Sequence, residues 1–212
     1  MSSQKVKAGK YVVVEGLEGS GKSTQIKLLH DVLRKKGENV LFIKEPDYEN
    51  RIGSFIKQEL TNKQDPLDII ALQFTFVAAR FEQFAKVTAP ALKEGKSVIS
   101  DRNWFSTATH VAAFAPKPYS DLTWIATVHS KLPLPDAVFY IGVPPEVASK
   151  RINSRGDQKR RFDSLDSLVA LENAYTELSK LYPKIWHRLN GNQSAEKVHE
   201  ELLGAWEIIK LK

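Results

Sequence analysis

Two hydrophobic patterns alternate along the chain. Short apolar or β-branched runs punctuated by glycine or a charged residue read as strands: "YVVVEG" at 11–16, "NVLFIKE" at 39–45, "SVISDR" at 97–102, "DAVFYIGV" at 136–143 and a short "HRLNG" at 187–191. Between them lie segments that read as helices. "KSTQIKLLHDVLRKKG" (22–37) carries apolar Ile26, Leu28, Leu29, Val32 and Leu33, basic residues late and Gly37 as a stop. "RIGSFIKQEL" (51–60) is a short helix. "DPLDIIALQFTFVAARFEQFAKV" (65–87) places Asp65 as N-cap and Pro66 at the first helical position, and is apolar on more than one side. "SDLTWIATVHSKL" (120–132) is a helix capped by Ser120, "PPEVASKRINSRG" (144–156) a helix ending in arginines, and "LDSLVALENAYTELSKLYPKIW" (165–186) another. "SAEKVHEELLGAWEIIKL" (194–211) closes the chain as an amphipathic helix capped by Ser194. Strand–helix alternation predicts an α/β fold, a parallel five-stranded sheet with helices on both faces. Ligands in such sheets bind beyond the carboxyl ends of the strands.

Composition narrows this. At 212 residues, 42% hydrophobic and 26% charged, the chain suits one soluble domain. It has no cysteine, hence no disulfide frame, which permits a reducing cytoplasm. "MSSQKVKAGK" lacks the apolar centre of a signal peptide, and residues 1–9 are expected to form a flexible tail. No run approaches the length of about 18 apolar residues a membrane span needs. The net charge of +6 raises nucleic-acid binding. The scatter of the basic residues argues instead for a solvated surface around an anionic small-molecule site.

The strongest chemical signal is "GLEGSGKS" at 16–23, which fits G-x-x-x-x-G-K-[ST] at Gly16, Gly21, Lys22 and Ser23. It follows a strand and opens a helix, the context such a phosphate loop requires. Its backbone N–H groups, from Gly16, Leu17, Glu18, Gly19, Ser20, Gly21 and on to Thr24, are placed to cradle the phosphates of ATP. Lys22 reaches the β- and γ-phosphates, and Ser23 can ligate Mg²⁺. "NKQD" at 62–65 has the form of a guanine reader but lies too early in the chain, and no D-x-x-G accompanies it. A polar loop capping a helix explains it better. A kinase also needs an acceptor anion site, cations for the transferring group and a lid against water. "SDR" offers Asp101, for Mg²⁺ through water or for orientation, and Arg102, whose fork suits a phosphate. "RINSRGDQKRRFD" (151–163) offers an arginine-rich lid, about residues 153–164.

Together these residues resemble thymidylate kinases, from Tyr11 to the last helix. The loop is similar to the G-x-E-G-x-G-K-[ST] of bacterial members, with Glu18 at the acidic place facing the acceptor. "FVAAR" resembles the family's F-x-A-x-R, which implies that Phe76 stacks on thymine and Arg80 binds its carbonyl edge. "DRNWFSTATH" resembles D-R-x-x-x-S-x-x-A-Y, implying that Arg102 holds the dTMP phosphate with Ser106 and Thr107 beside phosphate and base. A loop without a basic residue at Gly19 or Ser20 implies catalytic arginines from the lid: first Arg155 and Arg161, then Arg151 and Arg160. Three places depart from the pattern: Lys44 stands for an arginine in "KEP", His110 for a tyrosine near the sugar, and "KRRFD" for D-R-x-E. The resemblance implies one nucleoside monophosphate kinase-like domain over 1–212, cytoplasmic and homodimeric, converting ATP and dTMP to ADP and dTDP on the way to dTTP. Another deoxynucleotide or deoxynucleoside kinase is the nearest alternative. A nucleotide-dependent regulator or nucleic-acid binder is more distant.

Overall fold

A computed structural model describes residues 9–156 and 160–211. Of the expected tail only Gly9 is described, and its N–H donates to Leu92 O at 3.1 Å. The rest of the tail, and lid residues 157–159 with Lys159, lie outside the described residues.

Five strands form one parallel sheet in the order β2-β3-β1-β4-β5. They are β1 (Tyr11–Glu15), β2 (Val40–Lys44), β3 (Ser97–Asp101), β4 (Ala137–Gly142) and β5 (Trp186–Asn190). The register sets Val14 opposite Asp101, Asp101 opposite Lys44, and Glu15 opposite Tyr140. The polar residues that end β1, β2 and β3 therefore stand side by side at one edge.

Side chains alternate across the central strand as a two-residue period demands. Val12 and Val14 pack with Leu29 and Leu33 of α1 (Lys22–Lys35) and with Leu202 and Trp206 of the last helix. Tyr11 and Val13 face the other side, against Ala91. On that side lie α2 (Arg51–Glu59), α3 (Ile69–Gln83), a π-helical turn (Phe84–Thr88) leading into α4 (Ala89–Lys93), α5 (Trp104–Phe114), α6 (Leu122–Val128), α7 (Pro145–Ser154) and α8 (Leu165–Leu181). α9 (Ala195–Leu211) completes the α1 side, where Trp206 is fully buried and its indole N–H donates to Glu38 at 3.1 Å.

Three boundaries and one whole helix depart from the sequence expectations. α3 begins at Ile69 with Asp68 as its cap, not at Pro66 with Asp65. Asn62 bonds the N–H groups of Gln64 and Asp65 and the Asp65 carbonyl, and Glu59 takes the Leu67 N–H, so this stretch is a side-chain-tied turn. α6 is capped by Asp121, whose carboxylate accepts the Thr123 N–H at 2.8 Å, rather than by Ser120. α8 stops at Leu181. Pro183 lacks the N–H that would continue the helix, and this frees Trp186 to open β5 opposite Val138. α5 is a helix with no counterpart in the sequence reading. Its "WFSTATHV" is rich in aromatic and β-branched residues of modest helix propensity and shows no polar face; Asn103 caps it by accepting the Phe105 N–H.

The buried indole predicts a steep local cost. Trp206→Ala should destabilise the protein by about 3–5 kcal/mol in urea unfolding. Ile208→Ala, two residues on and 57% exposed, should stay within about 0.5 kcal/mol. Equal effects would contradict the placement of α9.

Candidate active site

The phosphate loop leaves β1 at Gly16 and turns into α1. Gly16 sits at φ 147°, where an added Cβ would lie 2.6 Å from Ile141 O. Gly21, at φ 101°, is the residue before the first turn of α1. Glycine is required by backbone conformation at both and by close approach at the first. Lys22 is buried, and its ammonium donates to Gly16 O (3.0 Å) and Leu17 O (2.7 Å). Burial and the neighbouring Arg102 bring it down to about 8, with Glu18, Asp101 and Glu15 opposing. Leu17 packs in the core beneath the loop, and Ser23 and Thr24 are exposed at the helix start. The Ser20 hydroxyl is buried with no partner among the described residues. Arg151 braces the loop from behind, donating to Gly191 O (3.2 Å) and reaching Gly19 O and Ser20 O at 3.5 Å.

Beside the loop, Arg102 adopts φ 72°, the one non-glycine positive φ among the described residues. Such a conformation costs about 1–3 kcal/mol and persists only when its surroundings fix it. They do. Glu15, fully buried at the end of β1, accepts from Asn103 N–H (3.0 Å), Ser106 Oγ (2.8 Å) and the Tyr175 hydroxyl (2.7 Å). Arg102 lies 3.5 Å from Glu15, donates to Ser106 Oγ (3.0 Å) and Tyr175 (3.3 Å), and reaches Glu18 at 3.5 Å. Asp101, one residue earlier, is 8% exposed, and its Oδ1 has no partner among the described residues.

A cleft of about 290 Å³ runs from the loop past Arg102 to α3. At its far end Phe76 and Arg80 line the wall. Arg80 is 5% exposed. Its Nε donates to Glu45 at 2.6 Å, and one terminal nitrogen meets both Thr107 Oγ1 and His129 Nε2 at 3.1 Å. Burial raises the Glu45 carboxyl, and the Arg80 guanidinium against it opposes that rise. His129 is buried over Trp104, its rings 5.6 Å apart. Its Nδ1–H donates to Ile125 O, so Nε2 is free to accept from Arg80. His110 lines the cleft with its edge toward Phe162, 4.9 Å away, and burial lowers it to about 4, so it is neutral. Lys44 lines the cleft mouth with its ammonium 5.4 Å over Tyr48.

The lid residues divide. Arg155 reaches Glu18 at 3.4 Å, and Arg160 lines the cleft beside it. Arg161 is not brought to the cleft. Its guanidinium donates to Leu67 O at 2.7 Å, against the α2–α3 turn, whereas the sequence reading groups it with Arg155. Burial alone would raise Glu18, but Lys22, Arg102, Arg160 and Arg155 outweigh it and hold the carboxyl at about 2. Glu18 is thus ionised through the neutral range. Sequence reasoning missed Glu15, Glu45, His129 and Tyr175. A lone carboxylate closing an apolar strand just before Gly16 was a readable sign for Glu15. Tyr175 and His129 carry none, since only tertiary packing brings them in.

Burial and then Arg80 lower His129 to about 4, against 6.5 for a free imidazole. Between those values the unfolded chain holds a proton that the folded protein does not, so stability rises with pH across that window and is lost as pH falls through it. The loss from pH 7 to pH 4 attributable to His129 should be roughly 2–3 kcal/mol by urea unfolding. In His129→Gln the slope should be visibly flatter, with His110 supplying what remains. An unchanged slope would show that His129 is protonated in the fold.

Known proteins resemble this chain over most of its length. The family model for thymidylate kinase matches residues 14–202. A "Probable thymidylate kinase" of Pyrococcus horikoshii is 31% identical over 203 residues, 92% of this chain and 94% of that protein. A thymidylate kinase of Desulfotalea psychrophila is 33% identical over 196 residues, 92% and 93% of the two chains. The solved thymidylate kinase of Candida albicans, described as having broad substrate specificity, superposes with a TM-score of 0.82 at 26% identity, covering 96% of this chain and 92% of that one. The family model spans nearly the whole chain, and the relatives match it over nearly their full length, so this chain belongs to the thymidylate kinase family.

Proposed function

We propose that this protein transfers the γ-phosphoryl group of ATP to dTMP, giving ADP and dTDP for dTTP synthesis. The observation that carries the reading is a single cleft with cations at its phosphate end and an aromatic ring with a guanidinium at its far end. A nucleotide spans those two ends; a nucleoside acceptor would leave Arg102 and its surrounding network without an anion to hold.

Binding of ATP would draw the Lys22 ammonium from the carbonyls of Gly16 and Leu17 onto the terminal phosphates. Arg102 would take the acceptor phosphate, with Ser106 beside it and Lys44 at the mouth. Phe76 would stack on the base while Arg80 donates to its carbonyl. Arg155 and Arg160 would neutralise the equatorial oxygens of the in-line transition state, leaving Arg161 as a brace on the Leu67 carbonyl. Such transfer rests on positioning and charge stabilisation, so no strong general base is needed. Glu18, ionised among these cations, pairs with Arg102 and Arg155 before the phosphates arrive and can orient the acceptor.

The donor set fits Mg²⁺. The unpartnered Asp101 Oδ1 and the exposed Ser23 hydroxyl flank the loop. No cluster of three His, Asp or Glu exists among the described residues, so phosphate oxygens and water would complete the shell, as this hard cation prefers. When bound, Mg²⁺ would supply charge neutralisation across the β- and γ-phosphates. We also propose a homodimer through the outer face of α3, where Phe74 is 47% exposed and its ring lies tilted beside Trp124, 5.9 Å between centroids. No helix among the described residues is long and apolar enough to cross a membrane. A cytoplasmic location, where nucleotides are made, follows from the proposed activity.

ADP release measured with dTMP as acceptor should be strong in the wild type and at least about a hundredfold lower in kcat/KM for Arg102→Ala. Arg160→Ala should lower kcat by roughly tenfold or more, while Arg161→Ala stays close to wild type. A larger loss in Arg161→Ala than in Arg160→Ala would reverse the lid assignment. Turnover with thymidine but not dTMP would identify a nucleoside kinase instead.

A further inference from the structure

We infer that Gln73 is a base-reading residue, its amide meeting the N3–H of the pyrimidine that Arg80 leaves unread. The inference rests on the reading of the cleft as a dTMP site. Gln73 lies on α3 at positions 73, 76 and 80 with Phe76 and Arg80, a spacing that puts all three on one helix face. All three line the same cleft. Gln73 is only 2% exposed, yet no hydrogen bond joins its amide to any described residue. Its neighbours on α3 at 72 and 77 are Leu and Val in the apolar interior. The amide atoms are not sealed into that apolar packing but keep access to the cleft, where their hydrogen-bonding capacity is unused. The group it can satisfy is a ligand in the cleft.

The chemistry of the base edge says what that ligand offers. Arg80 is a donor only, with Nε given to Glu45 and one terminal nitrogen to Thr107 and His129. Its remaining nitrogen can serve one carbonyl. The imide edge of thymine or uracil reads acceptor, donor, acceptor. The central N3–H needs an acceptor that no guanidinium can supply. The Thr107 hydroxyl already accepts from Arg80. The Gln73 amide holds an acceptor and a donor side by side, which complements N3–H and an adjoining carbonyl together. An amide alone could rotate and accept cytosine as well. Arg80 cannot, because a guanidinium only donates and Glu45 and His129 hold it in place, so it would face the cytosine amino group donor to donor. Arg80 thus sets the choice of base and Gln73 completes the reading.

The test compares dTMP with its N3-methyl derivative in the wild type and in Gln73→Ala, which opens room for the methyl group. The wild type should strongly prefer dTMP. In Gln73→Ala the KM for dTMP should rise roughly tenfold, the KM for ATP should hold, and the preference for dTMP over N3-methyl-dTMP should shrink at least tenfold. A merely structural role would weaken both substrates alike and leave their ratio intact. An unchanged ratio, with dTMP still turned over by the wild type, would overturn the inference alone. No turnover of dTMP by the wild type would overturn the dTMP reading and the inference with it.

Discussion

The carboxylate of Glu15 is the constraint on which the site depends. It is fully buried at the tip of the central strand and accepts three hydrogen bonds, from the backbone of Asn103, the hydroxyl of Ser106 and the phenol of Tyr175. Those donors come from the β3–α5 turn, from α5 and from α8. One carboxyl group therefore ties the central strand to two helices at the point where the phosphate loop begins. A buried carboxylate is tolerable only when its lone pairs are so engaged. Arg102, held in a left-handed backbone conformation 3.5 Å away, completes the charge balance and is aimed into the cleft by the same contacts.

The rest of the site follows one logic at two ends. Near the loop the protein masses cations and offsets their repulsion with Glu18, whose carboxyl stays charged because four cations outweigh its burial. Several polar groups there, Ser20 Oγ and Asp101 Oδ1 among them, have no protein partner among the described residues. At the far end the cation is paired within the protein. Glu45 accepts from Arg80 at 2.6 Å, and a neutral His129 accepts from it without adding a second positive charge. The loop end is built to receive charge and the base end to read shape and hydrogen-bond sense.

Much of this was legible in the chain. The five strands, the parallel sheet and the phosphate loop follow from periodicity and from glycines that the backbone geometry requires. Arg102, Phe76 and Arg80 were placed by motif and do meet in one cleft. What escaped had no local signature. The α5 helix reads poorly because a segment buried on several sides needs no polar face. Asn62 and Glu59 divert the start of α3 through side-chain bonds that outcompete an Asp-Pro start. Arg160 and Arg161 are adjacent, and which of them enters the cleft depends on Leu67, distant in sequence. Tyr175 and His129 matter only because packing carries them to Glu15 and Arg80.

The claim at the centre is that Arg102, fixed through Glu15, forms a phosphate site continuous with the base pocket. Calorimetric titration of dTMP and of thymidine into the protein without ATP measures that site alone. Hydrogen bonds to charged groups contribute about 1.5–3 kcal/mol each, so dTMP should bind at least about a hundredfold tighter than thymidine. Equal affinity for the two would mean that the cleft reads the nucleoside and not its phosphate, and would contradict the account.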